Sequence, residues 1–334
     1  MSQLRKDPIV GRWVIISTER EKRPSDWANE TNTRSGGFCP FCPGNEDKTP
    51  PEIVAKRPMT EQKDVPGWDI RVVPNKFPAL QIEGDLSPRG EGNYDIINGV
   101  GAHEVIIETP NHALELAELS EEHIHDVMQI FRERTLDLKK DLRFKYILIF
   151  KNHGAAAGAS LEHSHSQLIA TPIIPKRVLE ELEGSKRFYK YKERCIYCDI
   201  VRQELTLKKR IVSDSGSYLT IEPFAPRFPF ETWILPQAHY SHFEFMPEEM
   251  YRELAKALKD ALTRVNSTLG YPPFNFMLHT APVQEPKMPD FHWHLEIIPK
   301  LTSAAGFEWG SGFYINPTPP EVAADLLKNA ELVN

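Results

Sequence analysis

Cysteine is scarce: four among 334 residues. That scarcity excludes a disulfide-stapled scaffold. Also missing is any apolar run of about 18 residues, the length a membrane-spanning helix needs. The opening stretch Met1-Ser-Gln-Leu-Arg-Lys-Asp-Pro8 lacks the apolar core of a secretory signal. There is no excess of cations either. Lys and Arg number 40 against 47 Asp and Glu, a net charge of -7, which excludes a broad basic face for a nucleic acid polymer. These absences predict a cytoplasmic protein with neither membrane nor nucleic acid among its partners. What is present is ordinary globular composition, 40% hydrophobic and 26% charged. The length predicts about two domains. The 28 prolines, among them Pro110, Pro172, Pro236 and Pro299, predict many short, sharply ended strands.

The four cysteines form two pairs, Cys39-Pro-Phe-Cys42 and Cys195-Ile-Tyr-Cys198, and each pair opens a similar passage. Pro74-Asn-Lys-Phe-Pro78 follows the first and Ala225-Pro-Arg-Phe-Pro229 the second. Each passage then has a β-rich stretch ending at a histidine, His103 to His112 and Phe230 to His239. A helix comes next in each: one capped by Ser120 with the stripe Ile124, Val127, Met128 and Phe131, the other starting at Pro247 with Met250, Leu254, Leu258 and Val265. Short β-like runs, Tyr146–Phe150 and Phe274–Leu278, then lead to His163-Ser-His165 and His292-Trp-His294. The spacing from turn histidine to His-x-His is 51 residues in one half and 53 in the other. The order predicts a duplicated α+β unit, with a linker near residues 172–194 and extensions at 1–30 and 300–334. The domain boundary is expected between 172 and 173, giving units 1–172 and 173–334.

Two Cys-x-x-Cys pairs in a reducing compartment point to metal or redox chemistry. Zinc takes four nitrogen or sulfur ligands in a tetrahedron. The expected sets are Cys39, Cys42, His112 and His163, and Cys195, Cys198, His239 and His292, with His242 a competitor for His239. Four protein ligands leave no open position, so these two zinc sites are expected to hold loops in place.

His163 and His165 stand two apart, so on a regular strand they share a face, with Gln167 next along. One reading is a metal ligand followed by a free imidazole able to attack phosphorus, with the Gln167 amide donating to a phosphoryl oxygen. The other reading is a ligand cluster with an incidental second histidine. Upstream, Asn152-His-Gly154-Ala-Ala-Ala-Gly158-Ala-Ser160 is a loop whose backbone N–H groups suit phosphate. In the second half Glu296 takes the place of Gln167, and a carboxylate repels phosphate, so that half is expected to be a structural copy.

His163-Ser-His165-Ser-Gln167 resembles the His-x-His-x-Gln motif of the galactose-1-phosphate uridylyltransferase family, within the histidine-triad (HIT) superfamily. Asp7-Pro8 through Ser17, Arg20-Glu-Lys-Arg23-Pro24, Cys39-Pro-Phe-Cys42-Pro-Gly44, Asn75-Lys-Phe77-Pro-Ala-Leu80, Asn152 through Ser160 and His292-Trp-His294 resemble it too. The resemblance implies two tandem HIT-like units with antiparallel half-barrel sheets and flanking helices, and a homodimer. It implies double displacement: His165 takes a nucleotidyl group from a nucleotide sugar, UDP-glucose in the leading reading, and hexose 1-phosphate leaves. A second phosphate acceptor, galactose 1-phosphate in that reading, then receives the group. Gln167 would stabilise the nucleotidylated histidine. Arg20, Arg23, Asn152 and Ser160 would contact phosphates, with Gly158 in the same loop, and Asn75 and Phe77 would lie on the nucleoside side. One departure bears on substrate. Galactose-branch members carry a lysine directly before a C-terminal phenylalanine, where this chain has Gly306-Phe307, with Thr318 near the position of a later glutamine. That form resembles the ADP-glucose phosphorylase branch, whose acceptor is free phosphate. A zinc-containing hydrolase of the HIT type is the third reading.

Overall fold

A computed structural model describes residues 2–17, 37–58 and 62–332. Ten strands share one sheet: β1 (Val54–Lys56), β2 (Ile70–Pro74), β3 (Ala102–Ile107), β4 (Tyr146–His153), β5 (His165–Thr171), β6 (Ile211–Asp214), β7 (Tyr218–Ile221), β8 (Thr232–Pro236), β9 (Phe274–His279) and β10 (His294–Pro299). Across the sheet they run β1-β2-β3-β5-β4, then β9-β10-β8-β7-β6. Every neighbouring pair is antiparallel. The second half therefore repeats the first in reverse order, as the duplicated motifs require. The halves join through β4 and β9, where Phe150 faces Met277, Lys151 faces Phe276 and Ile149 faces Leu278. The fold is α+β, built of two repeated halves that join edge to edge in one antiparallel sheet.

Period-two alternation along each strand sorts side chains to two faces. On one face Ile106, Ile149, Leu168, Phe276, Leu295 and Ile297 meet α1 (Glu121–Leu138) and α4 (Glu248–Leu269) in the main core. Ser120 caps α1, its Oγ accepting from the His123 N–H at 3.1 Å. Helix α4 starts after Pro247 and stops at Gly270, whose φ of 69° suits a residue without a Cβ. Leu258 of α4 is fully buried, so Leu258→Ala costs about 2–5 kcal/mol in lost transfer energy and cavity.

The other face is covered unequally. Over the second half lie α2 (Lys176–Lys192) and α3 (Ile196–Leu207), burying Val178, Leu182, Ile196, Tyr197 and Val201 against Leu219, Ile221 and Leu235. The stretch expected to be a linker is thus mostly helix α2. Its abundant Lys and Glu form a wide solvent face that obscures a narrow apolar stripe. A close approach also fixes α2: a Cβ on Gly184 would come within 2.0 Å of the Ile9 carbonyl oxygen. Strands Gln3–Lys6, Trp13–Ile16 and Tyr314–Asn316 form a separate small sheet that ties the two terminal extensions together. Over the first half a smaller cluster of Cys39, Phe41, Trp68, Val73, Val105 and Ile107 packs beside β5. No helix among the described residues is long and apolar enough to cross a membrane.

Candidate functional site

Two donor sets flank the sheet, the first carried on loops and the second with its cysteines at the start of α3. In the first, Cys39 Sγ lies 3.6 Å from His163 Nδ1, and Cys42 Sγ lies 3.4 Å from His112 Nδ1 and 3.7 Å from His163 Nδ1. In the second, Cys198 Sγ lies 3.4 Å from His239 Nδ1 and 3.5 Å from His292 Nδ1, with Cys195 completing the set. A tetrahedral ion with bonds of about 2.3 Å to sulfur and about 2.1 Å to nitrogen separates those atoms by about 3.6 Å. Both sets could therefore hold a metal ion. The far nitrogens fix the tautomers: His163 Nε2 donates to the Thr109 carbonyl at 2.7 Å, His292 Nε2 to that of Pro236 at 3.0 Å and His239 Nε2 to that of Met288 at 3.0 Å. Each Nδ1 is left bare, as a ligand must be. His242 stands outside the second set, its Nδ1 2.9 Å from Ser241 Oγ.

Strand β5 begins at His165 rather than His163. His163 therefore turns toward the sulfurs, while His165 and Gln167 share the strand face away from α1 and α4. His165 is 6% exposed. Its Nδ1–H donates to the His163 carbonyl at 2.7 Å. A carbonyl only accepts, so Nδ1 carries the proton and Nε2 carries the lone pair. Among the described residues Nε2 has no hydrogen-bond partner. The Phe41 ring meets this imidazole edge-on at 5.3 Å. Burial first, then the charge of Lys151, holds His165 below the ordinary imidazole range, at about 4. The ring is accordingly neutral at pH 7 and its lone pair free.

Beneath His165, on the helix-covered side, lies a buried ion pair that sequence reasoning missed. Lys151 Nζ donates to Glu108 Oε2 at 2.6 Å, to Ser164 Oγ at 3.0 Å and to the His165 carbonyl at 3.0 Å. Ser164 and Ser166 also donate to the Glu108 carboxylate, at 2.6 and 2.5 Å. Burial pushes the Glu108 carboxyl up, but Lys151 and the two hydroxyls outweigh it, so the group stays ionised below the usual range. The serines on either side of His165 are thereby held to one anchor. A signal existed: Lys151 has the core-facing parity of Ile147 and Ile149, where a lysine demands a partner.

The remaining expected residues surround this point. Gln167 Oε1 lies 2.8 Å from His103 Nε2; His103 is a further residue to which sequence reasoning gave no role. Asn152 Oδ1 accepts from Asn275 Nδ2 at 2.8 Å, and the same amide nitrogen donates to the Ala157 carbonyl at 2.8 Å. This ties the glycine-containing loop to β9. Gly158 has φ 89°, a left-handed conformation that favours glycine, and Ser160 is exposed. Asn75 Oδ1 accepts from the Phe77 N–H at 2.9 Å, and the Phe77 ring is 85% exposed. Arg20 and Arg23 lie outside the described residues.

The second half carries the same frame, closed. His294 Nδ1–H donates to the His292 carbonyl at 3.2 Å, as His165 does to His163. But His294 is fully buried and stacks on His279 at 4.8 Å. Glu181 from α2 bonds His279 at 2.9 Å. Glu296, which matches Gln167, is bonded by Arg227. Leu278 stands where Lys151 does, and Leu235 or Pro236 where Glu108 does. Helix α2 and the Asp7–Val10 segment cover this face, leaving His294 and Glu296 buried.

Residues 1–175 match the galactose-1-phosphate uridyl transferase N-terminal domain, and residues 181–322 match the C-terminal domain of the same family. An ADP-glucose phosphorylase from Arabidopsis thaliana is 36% identical, over 99% of this chain and 93% of the relative. A galactose-1-phosphate uridylyltransferase from Thermotoga maritima is 30% identical, over 99% of each chain. The crystal structure of the Arabidopsis thaliana ADP-glucose phosphorylase with bound ADP-glucose superposes with a TM-score of 0.84, 33% identity and 100% coverage of both chains.

Proposed function

The chain belongs to the galactose-1-phosphate uridyl transferase family of nucleotidyltransferases, and from that membership we propose that it moves a nucleotidyl group from a nucleotide sugar to a phosphate acceptor through His165. The observation that carries this reading is the geometry of His165, anchored at Nδ1 by the His163 carbonyl and, among the described residues, with no hydrogen-bond partner at Nε2. The Nε2 lone pair attacks the α-phosphorus. The bond from that phosphorus to the bridging oxygen breaks, and the sugar 1-phosphate departs with the electron pair. The imidazole becomes a phosphorylated cation, and its Nδ1–H continues to donate to the His163 carbonyl, which stabilises that charge. An oxygen of the acceptor phosphate then attacks the same phosphorus, the N–P bond breaks, and neutral His165 is restored. Gln167 donates its amide to the phosphoryl oxygen that gains charge. The loop of Asn152, Gly158 and Ser160 holds phosphate, with Arg20 and Arg23 in the same role, and Asn75 and Phe77 lie on the nucleoside side.

The sequence expectation led with UDP-glucose and galactose 1-phosphate. We favour ADP-glucose with inorganic phosphate as acceptor. Supporting it are the 36% identity to an ADP-glucose phosphorylase against 30% to a uridylyltransferase, and Gly306 where the galactose branch has lysine. The two Cys₂His₂ sets would each hold one zinc ion. With four protein ligands and no open position, such an ion supplies no reaction chemistry and serves to anchor loops. A homodimer completes the proposal: Phe307 and Trp309, on the short helix Gly306–Ser311, are 49% and 78% exposed, an apolar face suited to a second copy.

The test is a matrix of ADP- and UDP-glucose against phosphate and galactose 1-phosphate, with products resolved by chromatography. ADP-glucose with phosphate should give ADP and glucose 1-phosphate fastest. Faster exchange of UDP-glucose with galactose 1-phosphate would return the assignment to uridylyl transfer, and release of nucleoside monophosphate without an acceptor would make the protein a hydrolase.

A further inference from the structure

An amide can present either its oxygen or its –NH₂ to a phosphoryl group, and only the –NH₂ is useful there. Something must choose between the two, and we propose that His103 does so, as a positioning residue that holds Gln167 with its nitrogen end toward the reacting phosphorus. This rests on the transfer reading above and names a further residue for it.

One donor beside His103 has no alternative role. The Ala79 backbone N–H points at His103 Nδ1 at 3.1 Å. A backbone N–H only donates, so Nδ1 is bare and the proton of the neutral ring sits on Nε2. From Nε2, Gln167 Oε1 is 2.8 Å away and Asn75 Nδ2 is 3.1 Å away. Asn75 has its oxygen committed to the Phe77 N–H, so it offers His103 only further N–H groups. The one acceptor for Nε2–H among these is Gln167 Oε1. With the Gln167 oxygen held there, its –NH₂ is the end left for the space beside His165, two residues back on the same face. Register explains why the two side chains meet. Val105 faces Gln167 and His103 faces Ile169 across β3 and β5, which makes His103 and Gln167 diagonal neighbours on one face. The second half repeats the coupling with different chemistry. Glu231, next to β8, and Glu296 on β10 occupy the matching diagonal, and Arg227 bonds both carboxylates. Each half therefore locks this pair of positions. Only the first does so with a group that leaves a neutral –NH₂ available to an anion.

Two measurements test the proposal. Nitrogen-15 NMR of the imidazoles in the zinc-loaded protein reads the tautomer without any substrate. A bare Nδ1 and protonated Nε2 on His103 are expected, and the opposite tautomer overturns the proposal. Rapid-quench kinetics then follow nucleotidylation of His165. Gln167→Ala should slow it by about 10²-fold. His103→Leu should slow it by about 10-fold, which at 1.36 kcal/mol per decade is the upper range for one side-chain hydrogen bond, with KM for the nucleotide sugar little changed. The double variant should be no slower than Gln167→Ala alone, because His103 acts only through that amide. An unchanged rate in His103→Leu, or losses that multiply in the double variant, would overturn the assignment. Zinc content and thermal unfolding of each variant separate a folding defect from this effect. A wild type that forms no adduct with any nucleotide sugar would overturn the transfer reading itself, while the NMR result still decides the His103 tautomer.

Discussion

Replacing Lys151 by methionine keeps most of the side-chain volume and removes one buried charge. In the native protein Glu108 and Lys151 are 0% and 1% exposed and share a 2.6 Å hydrogen bond. The variant leaves a carboxylate that still accepts from Ser164 and Ser166 but has lost its countercharge. Breaking a buried pair on one side costs about 3–5 kcal/mol, a large share of the ~5–15 kcal/mol that holds a domain folded. Equilibrium urea unfolding of the zinc-loaded protein should register that loss at pH 7. The double variant Lys151→Met, Glu108→Gln should recover a large part of it, because the amide oxygen can still accept from a serine and no charge is stranded. The pH dependence has a defined sign. Glu108 is held below the usual glutamate value of 4.5, so its stabilisation is complete above that value and is lost as pH falls through the folded pKa. The pair also bonds the His165 carbonyl, so nucleotidyl transfer should fall along with stability. A loss below about 1 kcal/mol in the single variant, or a double variant no more stable than the single, would refute the buried-pair argument.

Metal analysis by native mass spectrometry should find two zinc ions per chain, and Cys195→Ser should remove one of them; a single zinc that survives that substitution would eliminate the second site. His163→Ala should lose metal and lower stability, whereas His165→Ala should keep both metals and its melting transition while losing all transfer. Sedimentation should show a homodimer that Trp309→Glu weakens; a monomer in the wild type would remove the role given to that helix.

Much of this was legible in the sequence because duplication doubles every signal. The two Cys-x-x-Cys pairs each meet two histidines, and the two His-x-His motifs each lead into matching strands; a strand period of two places His165 and Gln167 on one face. The residues that escaped notice are those whose partners are distant in sequence. Lys151 and Glu108 lie 43 residues apart, and His103 and Gln167 lie 64 apart. Neither pair is visible until β3, β4 and β5 are in register. Helix α2 escaped for another reason: Lys and Glu dominate it, and its apolar stripe packs on the Asp7–Val10 segment, a contact no local pattern reveals. Arg20 and Arg23 rest on motif resemblance alone.

The central claim is that His165 carries the nucleotidyl group, and trapping the adduct tests it most directly. Wild-type protein mixed with ADP-glucose, without any acceptor, should take up about one nucleotidyl group per chain through a phosphorus–nitrogen bond. That bond should be labile in acid and stable in alkali. Peptide mapping under alkaline conditions should place the group on His165, and His165→Ala should take up none. An adduct found on any other residue, or one that is alkali-labile as an ester is, would contradict the mechanism even with the fold and both metal sites intact.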